Sequence, residues 1–315
     1  MKDEVQERHA KALEAQRKRL AAAAAERERR HAKDIKRFNA DADNFKRNRL
    51  HTRARQGARV LLPALDGCIF VVSDQHYYPG LPPTTAHRAS VKLAKKMKPY
   101  AIISNGDAID GASISRWPAG SFEELDNRPT VFAEMEEAAA RLKEYEDLNF
   151  VRWLVWNLGN HDARFETRLA RAAPEYAGVD GFHLKDHYPG WLPAWSTWIG
   201  EDGPGGVIVK HRYKGGMYAA KNNAFAAGRT MVTGHDHTMW AKPITDYNGM
   251  RWGITAGTIS DIWNPLFINY TEDNPNDWQS GFVILHFRSG RFTGPEFVYA
   301  LQDGSVLFRG NELKV

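Results

Sequence analysis

Seven short apolar runs punctuate the chain from residue 68 onward: CIFVVS (68–73), YAIIS (100–104), VRWLVWNL (151–158), GVIVKH (206–211), TMVTG (230–234), WGITA (252–256) and FVILHF (282–287). Runs of this length, rich in branched and aromatic residues, read as strands. Helix-like stretches at 84–98 and 130–147 separate the early ones. Strands alternating with helices argue for an α/β domain with substantial parallel pairing. The later runs lie closer together, which predicts a more antiparallel, hairpin-rich half.

In such sheets functional groups gather beyond the carboxyl ends of strands, so the residues just past each run carry the most information. FVVS is followed by Asp74 and His76, AIIS by Asp107 and Asp110, and WNL by Asn160, His161 and Asp162. VIVK leads into His211, and MVT into GHDH, with His235 and His237. Were the last pair still on a strand, positions i and i+2 would share one face. Each motif alone has an ordinary explanation: a surface Asp/His pair, a helix cap at GDAID, a turn asparagine, a structural histidine. Five strand ends in succession that deliver oxygen and imidazole donors, several behind a glycine that permits a tight turn, argue against coincidence.

Carboxylate and imidazole without thiolate suit Mn²⁺, Fe, Zn²⁺ or Co²⁺. Seven candidate ligands exceed the roughly three protein ligands that one catalytic ion takes. They suit two ions sharing a bridge, an arrangement that favours in-line displacement at phosphorus by a bridging hydroxide. With Cys68 as the only cysteine, neither an internal disulfide nor an all-cysteine zinc site is possible.

The net charge of +5 hides an asymmetry. Residues 1–59 hold 18 Lys+Arg against 9 Asp+Glu, or +9; the rest holds 43 − 18 = 25 against 38 − 9 = 29, or −4. Up to about Asn48 the chain is built from Ala, Glu, Lys, Arg and Gln without Gly or Pro, a composition that favours helix. Leu13 and Leu20 make a single heptad step, so a long coiled coil is weakly supported. We therefore expect a basic helical arm with linker over 1–58, RQGARVLLP (55–63) serving as the link, and one domain over 59–315. The arm's charge suits a partner chain, self-association or nucleic acid, although interleaved acids weaken the last. No secretory h-region or membrane-length apolar stretch is present, which predicts a cytoplasmic protein without membrane contact.

The ordered motifs SDQH, GDAID, GNHD, KHRY and GHDH, spread over about residues 68–260, resemble those of the calcineurin-like metallophosphoesterase superfamily. The stretch 210–237 also resembles small phosphoesterases of tailed phages and prophages, which would place the protein in a host cytoplasm. The resemblance implies two β-sheets packed face to face with helices outside, a four-layer αββα sandwich. It implies that Asp74, His76 and His237 bind one ion, Asn160, His211 and His235 a second, and that Asp107 bridges them. Two divalent ions are implied as cofactors, Mn²⁺ foremost. His161 would stay off the metals and assist the leaving group, with Asp110 holding it in orientation; the role of Asp162 is left open. One departure stands out: DAIDGAS has glycine where protein serine/threonine phosphatases of this superfamily carry an arginine. Arg116 and Arg164 are candidate substitutes.

The leading expectation is a binuclear phosphodiesterase acting on nucleic acid or nucleotides. The second is a phosphomonoesterase on small molecules with the arm serving assembly; the third is a non-catalytic, metal-bearing interaction module. All ten tryptophans lie beyond the arm, several in HYPGWLPAWSTW (187–198), where bases could stack. Trp153 and Trp156 read as core, while Tyr77 and Tyr78 read as lining the site.

Overall fold

Each of the seven apolar runs becomes a strand, and each is buried because a second layer covers it. The computed structural model describes residues 59–63, 65–116, 122–200, 205–264 and 276–315, together with Glu14, Lys18, Ala25 and Arg29. The chain divides into two compact units, Met1–Ala54 and Arg55–Val315. In the first unit those four residues are helical and exposed, and Glu14 pairs with Lys18 at 2.7 Å, one turn apart. The rest of the expected arm lies outside the described residues.

In the second unit one sheet has eight strands, in the order β14-β13-β12-β11-β2-β3-β4-β5. Strands β2 (Gly67–Val72), β3 (Ala101–Ser104), β4 (Trp153–Asn157) and β5 (Leu192–Ala194) run parallel. Strands β11 (Gly281–Arg288), β12 (Arg291–Ala300), β13 (Ser305–Phe308) and β14 (Asn311–Lys314) continue as an antiparallel meander. The other sheet has six strands in the order β1-β6-β7-β8-β10-β9. They are β1 (Val60–Leu62), β6 (Thr197–Ile199), β7 (Val207–Lys210), β8 (Thr230–Thr233), β9 (Met239–Asp246) and β10 (Gly249–Ala256).

Helices α1 (Thr85–Met97) and α2 (Val131–Glu146) supply the parallel crossovers. Both begin on a threonine whose hydroxyl accepts a backbone N–H of the first turn, Thr84 from His87 at 3.1 Å and Thr130 from Ala133 at 3.2 Å. Their apolar faces, including Ala89, Leu93, Ala138 and Leu142, pack on Phe70, Val72, Ile102 and Trp156. Side chains alternate across a strand, so Ile69, Val71, Ile103 and Val155 point the other way, and they are equally buried. The six-stranded sheet covers that face. On its far side α4 (Ala219–Ala227) lays Ala224 against Ile208 and Met231. The result is helix, sheet, sheet, helix.

Two expectations need correction. The last part of the expected linker is β1, which pairs in parallel with β6. The tryptophan-rich stretch, read as a place where bases could stack, contributes β5 to one sheet and β6 to the other. Strands of three residues show no alternation in sequence; only their partners make them strands. Trp191 is buried, and Trp198 lies under the guanidinium groups of Arg59 and Arg229 at 4.2 and 4.5 Å. Trp153 and Trp156 are buried, in line with expectation. Trp117 lies outside the described residues.

Candidate metal centre

The carboxyl ends of β2, β3, β4, β7 and β8 converge where the two sheets meet, and buried amides tie them together. Asn157 Nδ2 donates to the Val209 carbonyl and to Asn105 Oδ1, both at 3.0 Å, while Thr197 Oγ1 donates to Asn157 Oδ1 at 2.8 Å. Asn105 and Asn157 thus cross-link the sheets directly beneath the loops. Sequence reasoning did not single them out; an asparagine closing an apolar run at a strand end was the available signal.

Above them the backbone leaves its ordinary conformation. Asp74, His76, Asp107, His235 and His237 all have positive φ, from 42° to 74°. The left-handed region costs an L residue about 1–2 kcal/mol, so five of them represent a strain of roughly 5 kcal/mol or more. Cross-strand hydrogen bonds impose it: Asp74 N–H to Gly106 O at 3.0 Å, His76 N–H to Asp107 O at 2.9 Å, and His235 N–H to both Asp74 carboxylate oxygens at 3.0 Å. This also corrects the strand-face reading of GHDH. Strand β8 ends at Thr233, and its two histidines belong to a loop that sends them to different neighbours.

Three motif glycines make room for the side chains. A Cβ at Gly159 would sit 1.9 Å from Asp107 Oδ1, one at Gly234 2.4 Å from Asp74 Oδ2, and one at Gly106 2.5 Å from the His211 ring. No other residue fits there without displacing a candidate ligand.

The donor atoms fall into overlapping groups, each with all its atoms within 4.8 Å: Asp74, His76 and His237; His76, Asp107 and His161; Asp107, His211 and His235. His211 Nε2 lies 3.1 Å from Asp107 Oδ2 and 3.2 Å from Asn160 Oδ1, and His237 Nε2 lies 3.3 Å from Asp74 Oδ1. The structure therefore brings together all seven residues expected as ligands, with Asp107 common to two groups. His161, expected off the metals, belongs to the middle donor group, with Nε2 3.9 Å from Asp107 Oδ2.

Charge balance supports a fit to cations. Asp74 and Asp107 are buried, and burial pushes each carboxyl up, but neighbouring imidazoles, His211 foremost, more than offset it and hold both below their ordinary values. Burial pulls His211 down, and the Asp107 and Asp74 charges carry it up to about 10. Two ionised carboxylates inside a protein need positive charge beside them. A hard or borderline divalent ion supplies it from the same donor atoms.

Asp110 is shared by two imidazoles. Its Oδ1 lies 2.9 Å from His161 Nδ1 and 3.1 Å from His76 Nδ1. Burial raises the Asp110 carboxyl, yet these two contacts hold it well below the usual range. Burial lowers His161, but Asp110 and then Asp107 raise it overall, outweighing Arg164, whose Nη2 lies 3.2 Å from His161 Nε2. Arg164 Nη1 also donates to the Asp110 carbonyl at 2.7 Å. Of the two candidate arginines, Arg164 stands in the site.

Asp162, left open in the sequence, is buried at the start of α3 (Asp162–Ala172) and accepts four N–H groups. They come from Asp107 and Gly159 at 2.8 Å, Ala108 at 2.9 Å and the Trp156 indole at 3.1 Å. It locks the loops after β3 and β4 together. Burial and the Asp107 charge push it up to about 6 despite those donors. Glu134 on α2 does the same below Asp110, accepting from the backbone of Gly111 and Ala112, and burial raises its carboxyl to about 7. Trp278, not singled out in the sequence, packs on His237 with centroids 4.6 Å apart. The expectation for Tyr77 needs correction: it is buried against α1 with its hydroxyl 3.1 Å from His87 Nδ1, while the Tyr78 hydroxyl donates to Asn127 O at 2.5 Å.

The chain is 27% identical to the Gene 54 protein of Mycobacterium phage D29 over 222 residues, covering 67% of this chain and 86% of the relative. It is 28% identical to the Gene 54 protein of Mycobacterium phage L5 over 215 residues, covering 64% and 82%. A solved metallophosphoesterase from Sphaerobacter thermophilus overlays 75% of this chain and 90% of its own with a TM-score of 0.39 and 16% identity. A model of the calcineurin-like phosphoesterase family matches residues 69–239, the segment that holds every donor group above, and the chain belongs to that family.

Proposed function

We propose that this protein is a binuclear phosphodiesterase acting on nucleic acid or nucleotides. The observation that carries the reading is the chain of overlapping donor groups that runs from Asp74, His76 and His237 through His76, Asp107 and His161 to Asp107, His211 and His235. Asp74, His76 and His237 would hold one divalent ion and Asn160, His211 and His235 the other, with Asp107 common to both. When bound, such ions supply water ionised at neutral pH and a positive clamp on phosphoryl oxygens.

The chain's own groups do the rest. Asp110 fixes the His161 ring through Nδ1 and favours its protonated form, so that Nε2, once Arg164 turns from it to a phosphate oxygen, can hand a proton to the departing oxygen. Arg164, held on the Asp110 carbonyl, lies where a phosphate oxygen would displace its contact with His161. Asp162 and Glu134 keep these loops at fixed distances.

A diester suits the surroundings better than a monoester. Asp236 and Asp277 flank the His235 side in a cleft without lysine or arginine in its wall among the described residues, and a dianionic monoester would meet them at greater cost. The phage origin of the relatives supports a place in the host cytoplasm.

The test is a parallel rate assay on Mn²⁺-loaded protein with p-nitrophenyl phosphate, bis-p-nitrophenyl phosphate and labelled single- and double-stranded DNA, with Asp107→Asn as the blank. Preference for the diester and DNA is expected. Preference for the monoester refutes the substrate reading. Metal binding with no turnover at all moves the protein to an interaction module.

A further inference from the structure

A cleft of about 820 Å³ opens beside the metal centre, with His235 in its wall and most of its lining outside the donor groups. That volume is in the range of small-molecule sites, roughly 300–1,000 Å³. Among the described residues four aromatic side chains line it: Tyr218 at the start of α4, Trp240 on β9, Trp278 and Tyr299. Tyr218 is 60% exposed and Trp240 37%, unusual for rings that could have packed inward. Trp278 touches both the cleft and His237, so a ligand resting there lies next to the metal centre.

The charged groups in the wall are acidic. Asp236 and Asp277 contribute carboxylates, and among the described residues no lysine or arginine lines the cleft. The wall is also braced. Gln279 accepts the Met239 N–H at 2.7 Å, donates to Asp277 at 3.1 Å, and gives its own N–H to the His237 carbonyl at 2.9 Å. Aromatic faces and carboxylates without a cation repel phosphate and suit a flat ring that bears N–H donors.

We propose that this cleft is a subsite for one nucleobase, stacked on the exposed aromatic rings with its amino or imino N–H groups turned toward Asp236 and Asp277. The proposal rests on the phosphodiesterase reading and narrows it. With no lysine or arginine among the described residues of its wall, the cleft offers nothing to track a run of phosphates, so the substrate is a short nucleotidyl ester or the last nucleotide of a strand.

The experiment compares two diesters with the same leaving group, the p-nitrophenyl ester of adenosine 5′-monophosphate and methyl p-nitrophenyl phosphate. Base stacking predicts a kcat/KM ratio of about 10 or more in favour of the nucleoside ester. Tyr218→Ala and Trp240→Ala should each lower that ratio severalfold. Calorimetry of adenosine with metal-free protein should show binding that both variants weaken. Equal kcat/KM for the two esters, or a ratio unmoved by either variant, overturns the proposal. Faster cleavage of the phosphocholine p-nitrophenyl ester overturns it in favour of a quaternary ammonium ligand. If neither diester is cleaved, the phosphodiesterase reading falls, and calorimetry still decides the cleft: adenosine binding lost in the variants supports it, and no binding overturns it.

Discussion

Gly159→Ala is the sharpest probe of how the site is built. The added methyl would lie 1.9 Å from Asp107 Oδ1, 2.4 Å from Asp107 N and 2.7 Å from its Cγ. Carbon and oxygen without a bond between them rest more than 3 Å apart, so the Asp107 loop or the β4 loop must shift by about 1 Å. Two of the three close atoms belong to a buried carboxylate and one to backbone, so no flexible side-chain end can give way. Overpacking of this kind costs roughly 1–3 kcal/mol. The shift also strains the 2.8 Å bond from His161 N–H to Asp107 Oδ1, worth about 1 kcal/mol. A loss near 3 kcal/mol lowers Tm by roughly 6–12 °C for a domain of this size. Displacing Asp107 by 1 Å should reduce turnover about 100-fold. Gly205→Ala is the matched control: its Cβ would meet nothing within 4 Å among the described residues, and it should leave Tm unchanged or slightly higher. Thermal melts and bis-p-nitrophenyl phosphate kinetics on both variants decide the matter. A Gly159→Ala protein with the melting point and turnover of the parent would refute the packing argument.

Two further outcomes are expected. Burial raises the Glu134 carboxyl from 4.5 to about 7. The folded state then binds a proton that the unfolded chain has released, so this contribution to stability is full below about pH 4.5 and is lost as pH rises through 7. The change amounts to at most about 3 kcal/mol. Glu134→Gln should flatten the difference between melts at pH 5 and pH 8, and an unchanged slope would refute it. His161→Ala should leave metal content intact by elemental analysis while lowering kcat by roughly 10²–10⁴, the range of a lost general acid; retained turnover would sink the assigned role.

The local tendencies of the chain determined much of this protein. Branched apolar runs made strands, Thr84 and Thr130 started helices, and glycine before Asp107, Asn160 and His235 announced tight turns with donors behind them. These signals are readable because each depends on residues a few positions apart. Even the division of GHDH between two donor groups followed from the family resemblance, although the strand-face reasoning behind the pairing did not hold. Tertiary structure decided the rest. Strands β1, β5 and β6 exist only because a partner accepts their hydrogen bonds. Asp162 became a four-donor lock, and Asp110 a carboxylate shared by two imidazoles, only when loops more than fifty and thirty residues distant came into contact. Tyr77 turned inward because α1 offered it His87, and Trp278 reached His237 from across a long connection. Positive φ at five donor residues is the clearest case: aspartate and histidine tolerate it better than most residues, yet it takes the hydrogen bonds that tie the loop after β2 to the loops after β3 and β8 to hold the backbone there.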